Sequence, residues 1–145
     1  MSLSNVAENL IYNALFRNSG LPGIGDASGL GASAAAGSLY VSLHSDDPGE
    51  AGDQTTNEAD YTDYTRIAVG RATGFTVTTA GVYNADVVTF PASVGNSGNV
   101  AYWGLGFDET GAGTLLMSDA FDSTLVVVSG VTPQIAASGL QIIGN

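Results

Sequence analysis

The chain contains no cysteine and no lysine. The first absence excludes disulfides and thiolate metal sites, and with them any reading of the redox compartment. The second leaves three arginines against fourteen acids, a net charge of −11. Proteins that grip DNA or RNA do so through Lys and Arg on phosphates, so this balance argues against nucleic acid. It argues equally against an anionic membrane surface. Also missing is any run near the roughly 18 apolar residues of a membrane span. No basic segment followed by a long apolar core opens the chain, so no secretory signal is expected. Charged residues are scarce at 12%, whereas hydrophobic ones reach 44%, which excludes a chain held open by its own charge. At 145 residues the chain is long enough for one domain with a real core. Its acidity suits an exposed, soluble position or a basic partner.

What is present points to β structure. Twenty glycines accompany many Ala, Ser, Thr and Val residues, the composition of a turn-rich β protein. One helix is expected, over residues 4–17. Asn5 is placed to cap it, with Glu8 three residues on in capping-box spacing. Val6, Leu10 and Ala14 join Ala7, Ile11 and Leu15 on one broad face. Arg17 sits in the last turn, where a cation suits the helix dipole, and Asn18 and Gly20 are stop signals. The plainer reading is a helix packed on its own sheet; the sharper one is an arm docking on a neighbouring subunit. On that sharper reading Leu10, Ile11, Leu15 and Phe16 are the interface candidates. Residues 19–38 are low in complexity and rich in Gly, Ala and Ser, as in a flexible or extended connector. The expected division is therefore a helix and flexible arm over 1–38 and a β domain over 39–145.

Leu39, Val41 and Leu43 alternate with Tyr40, Ser42 and His44, the pattern of a half-buried strand. His44, the only histidine, falls on the face opposite the leucines. A surface or hydrogen-bonded role is expected of it, because no second His, Cys or nucleophile motif stands near to make it a base or ligand. From Ser45 to Asp63 lie seven of the fourteen acids: Asp46, Asp47, Glu50, Asp53, Glu58, Asp60 and Asp63. Clustered carboxylates suggest calcium, but the EF-hand pattern is absent and a solvated acidic loop is the better reading. No metal and no cofactor are expected. Tyr64–Ala72 reads as a second strand, and Arg66 and Arg71 are expected to pair with the acidic loop, exposed pairs of this kind contributing about 0–1 kcal/mol each.

Further strands are expected at Phe75–Thr79, Val82–Pro91 and Asn99–Phe107, the last with Ala101, Trp103, Leu105 and Phe107 facing the core. Asp108–Gly111 turns the chain into Gly113–Ser118, and Leu125–Val128 and Ile135–Ile143 complete the set. Short strands at this spacing indicate a mainly β fold, an antiparallel sandwich or barrel-like domain carrying one N-terminal amphipathic helix on its Gly/Ala-rich connector.

Four blocks in order carry a resemblance: LYVSLHSDDPGEAG (39–52), NEADYTDYTRIAV (57–69), NADVVTFPAS (84–93) and VAYWGLGFDETGAGTLLMSDAF (100–121). Preceded by the amphipathic helix and followed by a closing β segment, they resemble a family of small tailed-phage virion proteins over residues 4–143. That family shows an L-x-V-A-L-H strand entering an acidic stretch, a Y-x-R-x-A-V strand, an F-P strand and a G-[IL]-F-D hairpin. The departures are a longer connector, Gly-Ala-Gly at 111–113 where Gly-Gly is frequent, and Gly106 where Ile is common before Phe-Asp. Members are often labelled tail-fibre proteins. The resemblance implies a virion structural protein, not an enzyme. The expected role is a capsid decoration or cement protein on the capsid exterior, made in the host cytoplasm. Its partner would be the major capsid protein, and it would form a homo-oligomer, a trimer being favoured. The alternative is a tail-fibre or head-fibre base or adaptor. A glycan hydrolase with paired carboxylates is the weakest reading, since the acids cluster in one loop.

Overall fold

A computed structural model describes residues 3–25 and 27–143. Among these residues one helix, α1 (Asn5–Arg17), precedes nine strands. These are β1 (Ser38–His44), β2 (Ile67–Gly70), β3 (Phe75–Thr78), β4 (Gly81–Asn84), β5 (Val88–Thr89), β6 (Gly98–Gly106), β7 (Leu115–Val127), β8 (Gln134–Ile135) and β9 (Gln141–Ile142). The sheets have the orders β2-β1-β6-β7, β3-β4-β9 and β5-β8. The pairs β1–β6, β6–β7, β3–β4 and β4–β9 run antiparallel. The fold is mainly β with an N-terminal helix, and among the described residues no sheet closes into a barrel. No helix is long and apolar enough to cross a membrane among those residues.

The chain divides into two compact units. Unit 1 gathers residues 1–38, 70–88 and 135–145. In it α1 packs on β3 and β4, the plainer of the two readings of the helix. Phe16 is fully buried and meets Phe75 edge-on, ring centroids 5.0 Å apart. Val82 and Leu140 are also fully buried in this unit. The helix is capped by Ser4, not Asn5. Ser4 keeps an extended backbone, so its hydroxyl accepts from the Ala7 amide at 3.3 Å, whereas Asn5 already lies in the first turn. At the other end Asn18 takes the left-handed conformation that stops helices. The connector then doubles back: Leu21 and Leu30 exchange backbone hydrogen bonds at 2.7 and 3.0 Å, and the Asn18 amide donates to the Ser33 carbonyl at 2.8 Å.

Unit 2 gathers residues 39–69 and 89–134 and holds the four-stranded sheet except Ser38 and Gly70. Leu39, Val41 and Leu43 are buried, and so are Ser42 and His44. The strand is central, between β2 and β6, and both its faces are covered; the half-buried reading is corrected accordingly. Trp103 and Leu105 are buried on β6 as their parity predicts, but Val100 is buried too and Phe107 is 47% exposed. Phe107 lies one residue past the strand, where pleat no longer dictates burial.

Four strand readings differ from the structure. The expected strand Tyr64–Ala72 is shortened to Ile67–Gly70, with Arg66 and Arg71 just outside it. Val82–Pro91 is two strands, because the Asn84 amide donates to Asp86 O at 2.8 Å and turns the chain between them. Ile135–Ile143 is likewise two, split where Ser138 adopts φ 61°. Conversely, Leu115–Val127 is one 13-residue strand. Its polar middle, Phe121–Thr124, falls at a register shift against β6 between Val100 and Tyr102, so these residues need no core-facing pattern.

Candidate functional site

The functional residues that the fold brings together lie in unit 2, where the acidic loop meets the turn between β6 and β7. Arg66 leaves the chain just before β2 with its guanidinium buried. It grips Glu58 with two prongs: Nε donates to Oε1 at 2.7 Å and Nη2 to Oε2 at 2.8 Å. The side chains are 3% and 15% exposed, so this pair is desolvated, unlike the exposed pairing expected. The remaining donors reach across to the turn, Nη1 to Asp108 O at 2.9 Å and Nη2 to Gly111 O at 2.7 Å. The planar fork of arginine suits this four-way role; a lysine ammonium would not reproduce it. Tyr64 supports the same carboxylate, donating to Glu58 Oε1 at 2.9 Å while accepting from the Leu43 amide at 3.0 Å. Burial first, and the Glu58 charge second, push the Tyr64 phenol well above its ordinary value, so it stays a donor. Burial likewise pushes neighbouring Tyr61 up to about 12. Hydrogen bonding to Glu58, the leading cause, raises Arg66.

A second tie joins the same two loops. Gln54, fully buried, donates to Asp108 O at 3.2 Å and accepts from the Asp108 amide at 2.9 Å. Its own amide donates to Ala112 O at 2.8 Å. Gly106 makes room for it: a Cβ there would collide with the Gln54 side chain. The departure at 106 from the isoleucine common in the resembled family thus coincides with a buried glutamine. Gly104 clears the neighbouring space, where a Cβ would stand 2.5 Å from His44 Nε2 and 2.6 Å from Ser42 Oγ. His44 faces Thr56 O through Nδ1 at 2.8 Å and Ser42 Oγ through Nε2 at 2.8 Å. A carbonyl only accepts, so Nδ1 carries the proton and Nε2 accepts from the Ser42 hydroxyl. Desolvation, the leading cause, lowers the His44 pKa and keeps the ring neutral. His44 is hydrogen-bonded, as expected, but buried and not on the surface.

Among the other loop acids, Asp46, Asp47 and Asp53 accept from neighbouring groups of the loop itself. Asp53 Oδ1 accepts from Thr55 N at 2.8 Å and Thr55 Oγ1 at 2.7 Å, contacts that lower its pKa. Asp47 Oδ1 accepts from Gly49 N at 2.8 Å. Among the described residues no three of His, Cys, Asp and Glu converge as a metal would require. Arg71 does not reach the acidic loop. It belongs to unit 1, where Nη2 and Nε donate to Ala14 O and Leu15 O at 2.6 Å each, and Nη1 to Ala36 O at 3.2 Å. It satisfies the orphan carbonyls at the end of α1 that a helix leaves behind.

The four interface candidates on α1 part company. Phe16 is buried within its own unit, Leu10 and Leu15 are half-buried, and Ile11 is exposed. Nearby Val6 is exposed as well. Sequence reasoning missed Gln54 and Ser42. Ser42 could have been found from sharing the parity of His44; Gln54 sits in a loop with no periodicity to mark it. Two open clefts lie in unit 2. One of about 320 Å³ is lined by Glu58, Tyr64, Arg66, Glu109 and Thr110 among others. The other, about 430 Å³, runs between loop residues 47–52 and Leu115–Ser118.

Chemically the node is a fastener. Both Glu58 oxygens are engaged, Tyr64 and Arg66 keep their protons, and among the described residues no buried side-chain nitrogen or oxygen lacks a partner. Among curated proteins no match is found. Residues 2–143 match the family model described as Podophage GP4 fiber I protein gp80. The match takes in the helix, the acidic loop, the β6–β7 turn and all nine strands. On that extent of agreement the chain belongs to the podophage GP4 fiber I protein gp80 family, small tailed-phage virion proteins that carry a fibre label.

Proposed function

We propose that the chain is a structural subunit of a podophage fibre. The observation that carries this reading is the match to a fibre-protein family over residues 2–143. The buried Arg66–Glu58–Tyr64 node supports it, because it braces two surface loops of unit 2 against each other instead of presenting a reactive group. On this reading the protein works by shape and contact, not by turnover. Assembly with copies of itself belongs to the reading. Capsid decoration, expected from acidity and family resemblance, becomes the second reading, since the family description names a fibre.

Antibody labelling of purified virions, with a copy count against the major capsid protein, tests this. Label on fibres, at a small fraction of the capsid protein, is the expected result. Label spread over the whole shell at a ratio near one would overturn it in favour of decoration.

A further inference from the structure

Three features of unit 2 converge on one surface. First, β7 is the terminal strand of the order β2-β1-β6-β7, so one of its edges has no strand beside it. Such an edge offers unpaired N–H and C=O groups to an incoming strand. Its register shifts against β6 lie at Phe121–Thr124 and at Leu116, which leaves Met117–Ala120 as a regular stretch. Second, the cleft of about 430 Å³ is lined by Leu115, Leu116, Met117 and Ser118. The cleft therefore runs along β7 from the bulge at Leu116 into the regular stretch that follows. Leu115–Ser118 are half-buried, an apolar floor beside polar walls. Third, the opposite wall holds Asp47 and Glu50, and Asp119 follows at the end of the floor.

The charge of the unit decides what fits. Unit 2 carries eleven acids and a single arginine, Arg66, which is buried and bound to Glu58. His44 is buried too. Unit 2 therefore presents no free cation, and a second copy meeting this edge through the same face brings only carboxylates to carboxylates. Like charges brought together across an interface are unfavourable, and complementary ones set partner choice. We propose that the edge of β7 at Leu115–Asp119 is a docking site for an extended, basic segment of a different protein. The segment adds as a strand, with apolar side chains on the Leu115–Met117 floor and Lys or Arg side chains at Asp47, Glu50 and Asp119. The inference goes beyond the fibre reading and stands without it, because it assigns no position in the virion.

The probe is a short peptide alternating valine and lysine, titrated into the full chain at about 20 mM salt, where screening is weak. A glycine–lysine peptide of equal charge is the comparison. The expected result is that the valine–lysine peptide binds at least about tenfold tighter and slows amide exchange at residues 115–119. The double substitution Glu50→Lys, Asp119→Lys, both at exposed side chains, should weaken it by about tenfold or more while leaving the melting transition in place. Equal binding of both peptides overturns the proposal, as does exchange protection elsewhere. So does a stable homodimer protected at β7, which would make a second copy the occupant.

Discussion

The two units of this chain use arginine in opposite ways. In unit 1, three acids stand against two arginines, and Arg71 spends its donors on main-chain carbonyls at the end of α1. In unit 2, eleven acids stand against one arginine, and Arg66 is locked to a carboxylate as well as to two carbonyls. The net charges are −1 and −10. Unit 1 is held chiefly by apolar contact, Phe16 on Phe75, with Val82 and Leu140 also buried. Unit 2 has its own apolar centre around Leu43, Trp103 and Leu105, but its long acidic loop is pinned by buried polar groups. A loop rich in carboxylates has little apolar surface to bury, so hydrogen bonds from Arg66, Tyr64 and Gln54 are what fix its position. The same charge asymmetry leaves unit 2 with a strongly acidic surface.

The largest expected effect comes from separating the buried pair. Arg66→Ala strands the Glu58 carboxylate and unties Asp108 and Gly111, and should cost about 3–5 kcal/mol, read by denaturant unfolding. Its counterpart in unit 1 is apolar: Phe16→Ala opens a cavity and should also cost about 3–5 kcal/mol. If Phe16→Ala is nearly silent, apolar packing is not what holds the helix. Next comes Arg71→Ala, whose carbonyl partners lie in a part-buried setting that water reaches. A loss of about 1.5–3 kcal/mol is expected, and a cost equal to that of Arg66→Ala would erase the distinction between the two arginines. The smallest effect is read in pH. Burial holds His44 below its ordinary 6.5, so the unfolded chain takes up a proton there before the folded one does. Its contribution is complete above pH 6.5 and is lost as pH falls from that value toward the lower folded pKa. Melting curves across this window should slope for the wild type and flatten for His44→Gln. Parallel slopes would mean that His44 is not the group that titrates.

Much of the fold was legible because periodicity reports burial directly. The apolar spacing of residues 4–17 marks α1, and the alternation Leu39-Val41-Leu43 marks β1. The Asp108–Gly111 turn between β6 and β7 was visible as a cluster of turn formers. Misreadings arose where side chains, not pattern, decide. Ser4 caps α1 because its own backbone stays extended, which residue type alone does not distinguish from Asn5. Asn84 divides Val82–Pro91 by turning its amide onto Asp86 O and Ala136 O, the second contact coming from 52 residues away. The polar run within β7 concealed one long strand because residues at a register shift on an edge need not alternate.

The site was legible only in its ingredients. Charge counting alone establishes that the chain is acidic, that its cations are three arginines and that seven acids crowd residues 45–63. That is a property of composition, and it already narrows the partners. Which arginine meets an acid is not. Arg66 and Arg71 are five positions apart in similar surroundings, yet one finds Glu58 and the other the end of a helix more than fifty residues away in sequence. Nor does any local pattern announce that Gln54 is buried, since its side chain is satisfied by Asp108, 54 residues along the chain. Periodicity and charge are sums over neighbours along the chain, so the sequence determines them by itself. Desolvation and hydrogen-bond partnership depend on what arrives from far along it, and the tertiary structure alone decides them.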